Sequence, residues 1–204
     1  MTTPNPRAAV VGDVRNIVLP SPKSIGTIGG LYIASLDAPM PDDDFSIDPV
    51  YTLLGFIADD GLDEDENRTS DKKYAWGSDQ VAEPQTEFGL TLAFKLLEFL
   101  NVEVAKLAYG ADRVTETAAT ATHGRQMTIF QTSDTLGQHT FLLDTFSPGG
   151  KRVQKWFPIG EVKKRKTQKW SHKEILSHDI EVTFYPDPAG RYSRLRTDDG
   201  ILDA

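Results

Sequence analysis

Thr86-Glu87-Phe88-Gly89-Leu90-Thr91-Leu92-Ala93-Phe94-Lys95-Leu96 is the stretch on which the fold class turns. Phe88, Leu90, Leu92, Phe94 and Leu96 recur at every second position, with Glu87, Thr91 and Lys95 between them. A period of two puts the apolar set on one face of a pleated strand and the polar set on the other. The stretch therefore predicts a half-buried β-strand. Residues 178–185 repeat the pattern, with Ile180, Val182 and Phe184 alternating with Asp179, Glu181 and Thr183. Weaker strand patterns fall near 29–36, 50–57, 72–80, 126–131, 139–146, 152–159 and 161–169. Ser147-Pro148-Gly149-Gly150 lies between two apolar runs and reads as a hairpin connection.

One helix stands out, around residues 99–109. Asn101 is placed to cap it, Glu103 suits the positive end of its dipole, and Gly110 follows as the terminating residue. Leu100, Val104, Leu107 and Ala108 share a face at helical spacing. Residues 115–122 fit either helix or loop. Many short strands with one packed helix predict a mainly β protein: a sandwich or barrel of two antiparallel sheets with a flanking helix. Pro4, Pro6, Pro20 and Pro22 mark an N-terminal arm over 1–27, the core domain spans 28–186, and 187–204 reads as a C-terminal arm. Residues 58–73, acidic and poor in apolar side chains, read as a long mobile loop.

The 204 residues suffice for one domain with a sizeable core or a domain with arms. No apolar run reaches the roughly 18 residues of a membrane span, and Met1 to Pro6 lack the layout of a signal peptide. Without cysteine there is no disulfide scaffold, thiolate site or cysteine nucleophile. A net charge of −8 argues against general nucleic-acid binding. The charge is also polarised. Asp37, Asp42, Asp43, Asp44, Asp48, Asp59, Asp60, Asp63, Glu64, Asp65 and Glu66 fall in one stretch without a base. Lys151, Arg152, Lys155, Lys163, Lys164, Arg165, Lys166, Lys169 and Lys173 face Glu161 alone in another. Two solvated faces and two complementary assembly surfaces both fit this pattern.

Signatures of chemistry fail on inspection. His123, His139, His172 and His178 lack the spacing of a zinc pair, and His172 and His178 read as polar surface residues. Counted from Asp59, an EF-hand loop would need glycine where Glu64 stands and glutamate where Ser70 stands. Gly26-Thr27-Ile28-Gly29-Gly30 lacks a P-loop lysine and reads as a turn into the next strand. No serine lies in a hydrolase elbow. Tyr74 and Trp76, with Trp156 and Trp170 among bases, admit a stacking platform for single strands, but packing aromatics is the commoner use. No catalytic residue, cofactor or metal is expected.

The order of elements adds a resemblance. Leu54-Gly55-Phe56-Ile57 leads through Asp60-Gly61 into the polar loop and returns as Asp71-Lys72-Lys73-Tyr74-Ala75-Trp76-Gly77. The chain passes Val81, enters the alternating strand, and runs through Leu97-Glu98-Phe99-Leu100-Asn101-Val102-Glu103-Val104 to Tyr109-Gly110. Trp156-Phe157-Pro158-Ile159-Gly160-Glu161-Val162 and the 178–185 strand follow as closing hairpins. Over residues 28–186 this succession resembles the major tail proteins, the tail tube subunits, of long-tailed phages, especially those of actinobacterial hosts. The resemblance implies a non-enzymatic virion protein, assembled in the host cytoplasm into stacked hexameric rings whose lumen conducts genome DNA without binding it specifically. It implies self-association through the 58–73 loop and the arms, and contact with tape measure, tail terminator and distal tail proteins, with no membrane partner. A β-sandwich binding module, or another tail or secretion-tube component, that recognises a protein or glycan is the alternative; the binding module predicts a stable monomer with an exposed aromatic patch. An enzyme would need a pocket of converging polar groups.

Overall fold

The computed structural model describes residues 13–24 and 27–201. The readings placed on residues 1–12, on Gly26 and on the last three residues lie outside the described residues. In chain order the strands are β1 (Lys23–Ser24), β2 (Thr27–Ile28), β3 (Gly30–Ala34), β4 (Thr52–Leu53), β5 (Ile57–Ser70), β6 (Lys73–Tyr74), β7 (Gln80–Ala82) and β8 (Gln85–Leu96). Helix α1 (Val102–Tyr109) precedes β9 (Val114–Thr117), β10 (Gln126–Ile129), β11 (Gln138–Ser147), β12 (Lys151–Arg165), β13 (His178–Tyr185) and β14 (Arg194–Asp198). The protein is mainly β, antiparallel, with one α-helix among the described residues, as the periodicity predicts.

The main sheet runs β4-β3-β11-β12-β13-β8-β5, and β12 organises it. One edge of β12 pairs with β11 across the turn at Pro148-Gly149-Gly150. The other edge is shared: Arg152 to Trp156 pair with β14, and Ile159 to Arg165 pair with β13. Between these two partners the register against β11 shifts, from His139↔Gly160 to Phe141↔Phe157, so β12 carries one extra residue there. Pro158 falls inside that bulge, where a residue without an N–H is tolerated. Sequence had broken this stretch into strands at 152–159 and 161–169; the structure joins them because a bulge bends a strand without ending it.

Bending at β12 folds the sheet over its apolar face. Leu90, Leu92, Phe94 and Leu96 of β8 thereby join Leu31, Phe141, Phe157, Ile180, Val182 and Phe184 in one buried cluster. Each large side chain so buried contributes about 1.5–3 kcal/mol before entropy is counted. The Phe157 and Phe184 rings stack with centroids 4.1 Å apart, and Phe141 meets Phe184 edge-on at 5.7 Å. Gly160 lies against them: a Cβ there would come 2.7 Å from both Phe141 and Phe184. On the opposite face, Ala34, Leu142, Trp156 and Tyr51 form a smaller cluster under the 36–51 segment. There Trp156 Nε1 donates to Tyr51 Oη at 3.2 Å, and Tyr51 donates to the Pro39 carbonyl at 2.7 Å.

Helix α1 closes the main cluster with Val104, Leu107 and Ala108. Asn101 caps it as predicted, its side chain accepting from Glu103 N at 3.0 Å, and Gly110 ends it at φ 100°. Leu100 does not share the buried face: the helix begins at Val102, and Leu100 is exposed before it. Residues 114–117 are neither helix nor loop but pair as β9 with β10. Of the 50–57 pattern Thr52–Leu53 and Ile57, the first residue of β5, are strand, and of the 72–80 pattern Lys73–Tyr74 and Gln80, the first residue of β7.

The C-terminal segment is not a free arm. β14 pairs with β12, and Arg194 and Arg196 strap it to the 41–45 loop. Arg194 reaches the Pro41 carbonyl at 2.9 Å and Asp43 at 2.6 Å, and Arg196 donates to the Asp42 and Asp43 carbonyls. Phe45, held at φ 62°, is covered by the Arg196 and Arg152 guanidinium groups.

His178, read as a surface residue, is only 3% exposed. Its ring stacks on Phe99 at 4.7 Å and meets the edge of Tyr109 at 5.6 Å, and Nε2 has no hydrogen-bond partner. Burial first, and then the nearby Arg165 guanidinium, push its pKa from 6.5 to about 4; a backbone hydrogen bond with Phe99 opposes them. Between those two values the unfolded chain takes up a proton that the folded chain refuses. Stability is therefore unaffected above pH 6.5, falls as pH drops through the window, and levels off below about 4. The full effect is about 3 kcal/mol. Urea unfolding at pH 7, 5 and 4 should show it, and His178→Phe should lose that part of the acid sensitivity; an unchanged pH profile in the variant would exclude His178 as the cause.

Candidate assembly surface

The acidic stretch at 58–73 is not a mobile loop. Most of it is β5, which pairs with β8 from Ile57↔Leu96 to Ser70↔Gln85. The ladder skips between Ile57 and Leu62, where Ala58 to Gly61 bulge out and Gly61 takes φ 78°. Beyond Glu66, which opposes the buried Leu90, the pair leaves the body as a two-stranded arm. Every residue from Asp63 to Glu87 is exposed. Because neither side of the arm faces a core, no apolar alternation marked β5 as a strand, and its acids suggested a loop.

Side chains brace the arm at its root. Leu62 packs against the main cluster, and Glu64 pairs with Lys155 across the fold. The Arg68 guanidinium lies 4.7 Å from the centre of the Phe88 ring, which meets Tyr192 edge-on at 4.5 Å. Arg68 also binds Glu66 at 2.6 Å. Farther out, Ser70 Oγ donates to Glu83 at 3.0 Å, and the Asp71 amide donates to the Pro84 carbonyl at 3.0 Å. β6 and β7 then form a small terminal hairpin. Its turn runs through Gly77 at φ 115° and Ser78 at φ 74°, with Ala75 N donating to Asp79 O at 2.8 Å. This turn presents Trp76 at 106% relative exposure, with Tyr74 and Val81 exposed beside it. The aromatics read as a packing or stacking pair thus lie at the arm's tip, whereas Trp156 is in the core.

At the other end of β8, residues 97–103 and α1 border an open groove of about 840 Å³. Leu97, Phe99, Leu100 and Val102 supply its apolar lining, and Glu98, Glu103, Lys106, Glu116 and Arg125 its charges. Glu98 is fixed by Phe56 N at 2.9 Å and Asn101 Nδ2 at 3.0 Å. Gly55 is required there, since a Cβ would fall 2.2 Å from the Glu98 carboxylate and its φ is 84°. Glu103 pairs with Lys106 at 2.7 Å and Glu116 with Arg125 at 3.1 Å. Exposed Trp170 adjoins the groove through Phe99, with ring centroids 6.2 Å apart. Four of these charges form ion pairs and Glu98 is held by hydrogen bonds, an arrangement suited to a contact surface more than to proton transfer.

Cross-strand register defines a third surface. Residues directly opposed in a ladder share a face. Asp63, Asp65, Thr91, Ala93, Lys95, Asp179, Glu181, Thr183, Tyr185, Glu161 and Lys164 consequently lie on the side of β5-β8-β13-β12 turned away from the core. Several of its charges neutralise one another: Lys163 binds Glu161 at 2.7 Å and Lys166 binds Asp179 at 3.4 Å. Part of the charge polarity in the sequence is therefore spent within one subunit, Glu64–Lys155 included. The outer edge of β5 has no strand partner among the described residues. Among those residues, no group of three His, Asp or Glu side chains is placed to hold a metal, and no helix is long and apolar enough to cross a membrane.

A family model described as phage tail tube protein matches residues 21–195. No curated protein matches the chain.

Proposed function

The chain belongs to the phage tail tube protein family and is a structural component of the virion tail; from that premise we propose that it forms stacked hexameric rings of a long-tailed phage, whose lumen conducts genome DNA during ejection. The observation that carries this reading is the unpartnered arm. A two-stranded ribbon with both faces in water is marginal by itself, so a ribbon maintained over residues 67–87 gains its stability from a neighbour. The free outer edge of β5 supports ring closure, since rotational symmetry can pair an open edge of each subunit with the next.

The polar face of β5-β8-β13-β12 is the surface we assign to the lumen. Its carboxylates Asp63, Asp65, Glu161, Asp179 and Glu181 outnumber Lys95 and Lys164, leaving little attraction for phosphate, so DNA can slide without specific binding. The role is structural and non-enzymatic. Residues 28–186, with β14 strapped to them, are the tube body, and the N-terminal segment 1–27 serves as an arm in ring contacts. Tape measure, tail terminator and distal tail proteins are its partners at the ends and inside the tube, and assembly takes place in the host cytoplasm. Negative-stain microscopy of concentrated protein tests the reading. Rings or tubes with a central hole are expected; monomers at every concentration would overturn it.

A further inference from the structure

The sequence holds two Asp-Gly pairs, Asp60-Gly61 and Asp199-Gly200, and no Asn-Gly pair. A glycine after an aspartate leaves its amide open to the aspartyl side chain, because no Cβ shields the nitrogen and the backbone turns freely. Whether the two groups meet depends on the fold. A residue in a ladder has its ψ held extended and its amides bound to the next strand, which keeps the side-chain carbon and the following nitrogen apart.

Asp60-Gly61 escapes both restraints. Ala58 to Gly61 form the bulge where the register of β5 against β8 jumps from Ile57↔Leu96 to Leu62↔Phe94, so neither Asp60 nor Gly61 has a partner in that ladder. Gly61 takes φ 78°, and no atom lies within 4 Å of where its Cβ would stand. Asp60 is exposed, and among the described residues no hydrogen bond or ion pair holds its carboxylate. Asp199-Gly200 is the opposite case. The Gly200 amide donates to the Asp198 carboxylate at 2.9 Å, and the Asp199 carboxylate accepts from the Ile201 amide at 2.9 Å. Gly200 also packs on the turn between β11 and β12, where a Cβ would fall 2.4 Å from the Gly149 carbonyl oxygen. Both reacting groups are occupied there, and the backbone around them has little room to turn.

We propose that Asp60-Gly61 is a site of spontaneous isoaspartate formation at the base of the arm. The Gly61 nitrogen attacks Cγ of the Asp60 carboxylic acid and closes a five-membered succinimide, while the acid hydroxyl leaves with the amide proton as water. A second water then opens the ring at either carbonyl. Attack at Cγ breaks the new bond and restores aspartate. Attack at the Asp60 main-chain carbonyl breaks its bond to the Gly61 nitrogen, so the chain continues through the side chain and the α-carboxylate is set free. Water is the sole co-reactant. The isoaspartyl form lengthens the backbone by one methylene and moves the negative charge. Because the bulge already takes these residues out of register, Leu62 keeps its place against the main cluster and the ladder beyond it stays paired. The fold thus places a slow chemical change at the joint between arm and body, and it does so independently of the tail tube reading.

Incubating the full-length subunit for weeks in heavy-oxygen water tests this, because each ring opening leaves one heavy oxygen at the reacting residue. Peptide mapping with electron-transfer fragmentation then separates isoaspartate from aspartate of equal mass. Asp60 should convert about tenfold or more faster than Asp199, whose following amide must first give up a hydrogen bond to a carboxylate. In urea the two sites should convert at similar rates, which assigns the difference to the fold. Asp60→Glu keeps the charge but cannot close the five-membered ring. Aged wild-type protein should keep the circular dichroism and melting of Asp60→Glu aged beside it. Equal conversion at the two sites in the folded chain, or conversion at Asp60 only after unfolding, would overturn the proposal. Melting that falls as isoaspartate accumulates in the wild type and holds in Asp60→Glu would overturn the accommodation of the change by the bulge.

Discussion

Replacing residues 69–87 with an Asn-Gly turn should leave a folded protein that no longer polymerises. Arg68 and Phe88 are directly opposed in the β5–β8 ladder, so a two-residue turn between them closes the shortened hairpin in register. Everything removed is exposed, whereas Leu62, Glu64 and Phe88, which hold the arm to the body, remain. The cost to stability should stay within about 1 kcal/mol, because exposed residues away from caps and cores contribute little. The effect on assembly should be far larger. A hundredfold or greater rise in the concentration needed for tubes corresponds to about 2.7 kcal/mol or more per contact. Sedimentation and microscopy read the assembly, and urea unfolding reads the fold. Normal tubes from the shortened chain would show that the arm is decoration. Deleting 60–70 alone would be a poorer experiment: it removes Leu62 from the core and strips the pairing from β8, so it would damage the fold as well.

Phe157→Ala should have the largest effect on the subunit itself, a loss of about 3–5 kcal/mol. Phe157 is fully buried and stacks on Phe184 where β12 bends from its β14-paired half to its β13-paired half. The vacated space is flanked by Phe184, stacked on Phe157, and by Phe141, its partner in the ladder, and both rings are held in turn against Gly160, so it cannot collapse readily. Phe157 also lies where the folded sheet brings β8 against β11 and β12, so its loss loosens both layers at once. The urea midpoint is the measurement. A loss below about 1 kcal/mol would mean that the cluster relaxes around the cavity and that β12 is not the keystone of the folded sheet.

Much of the fold was legible where one side of an element faces a core. β8 and β13 emerged within a residue of their ends, because burial on one face writes a period of two into the sequence. Helix α1 was legible from its caps, since Asn101 and Gly110 answer local backbone needs that no distant residue can alter. The 147–150 turn was legible for the same reason. β5 was not. Its outer half has water on both faces, and the ladder to β8 depends on backbone groups that every side chain shares. β14 was missed because a short strand bound by Arg194 and Arg196 to backbone carbonyls leaves no apolar pattern. His178 misled for a related reason. A polar side chain alternating with apolar ones at the end of a strand signals solvent unless an aromatic lid is known to cover it, and Phe99 and Tyr109 come from another element.

The candidate surface divides in the same way. The residues of the tip, Tyr74 and Trp76, were singled out from the sequence, but as a strand face near a loop. Their exposure and their distance from the groove follow only from the arm. By itself the sequence determined the β class, the flanking helix with its caps and the succession of elements that marks the family, because periodicity, capping and turns are local. The tertiary structure alone decided that residues 57–70 are a strand, that part of the charge polarity is neutralised inside the subunit, and that the tip and groove lie at opposite ends of β8. Those depend on register and on how far β12 bends, which are sums over contacts between residues far apart in the chain.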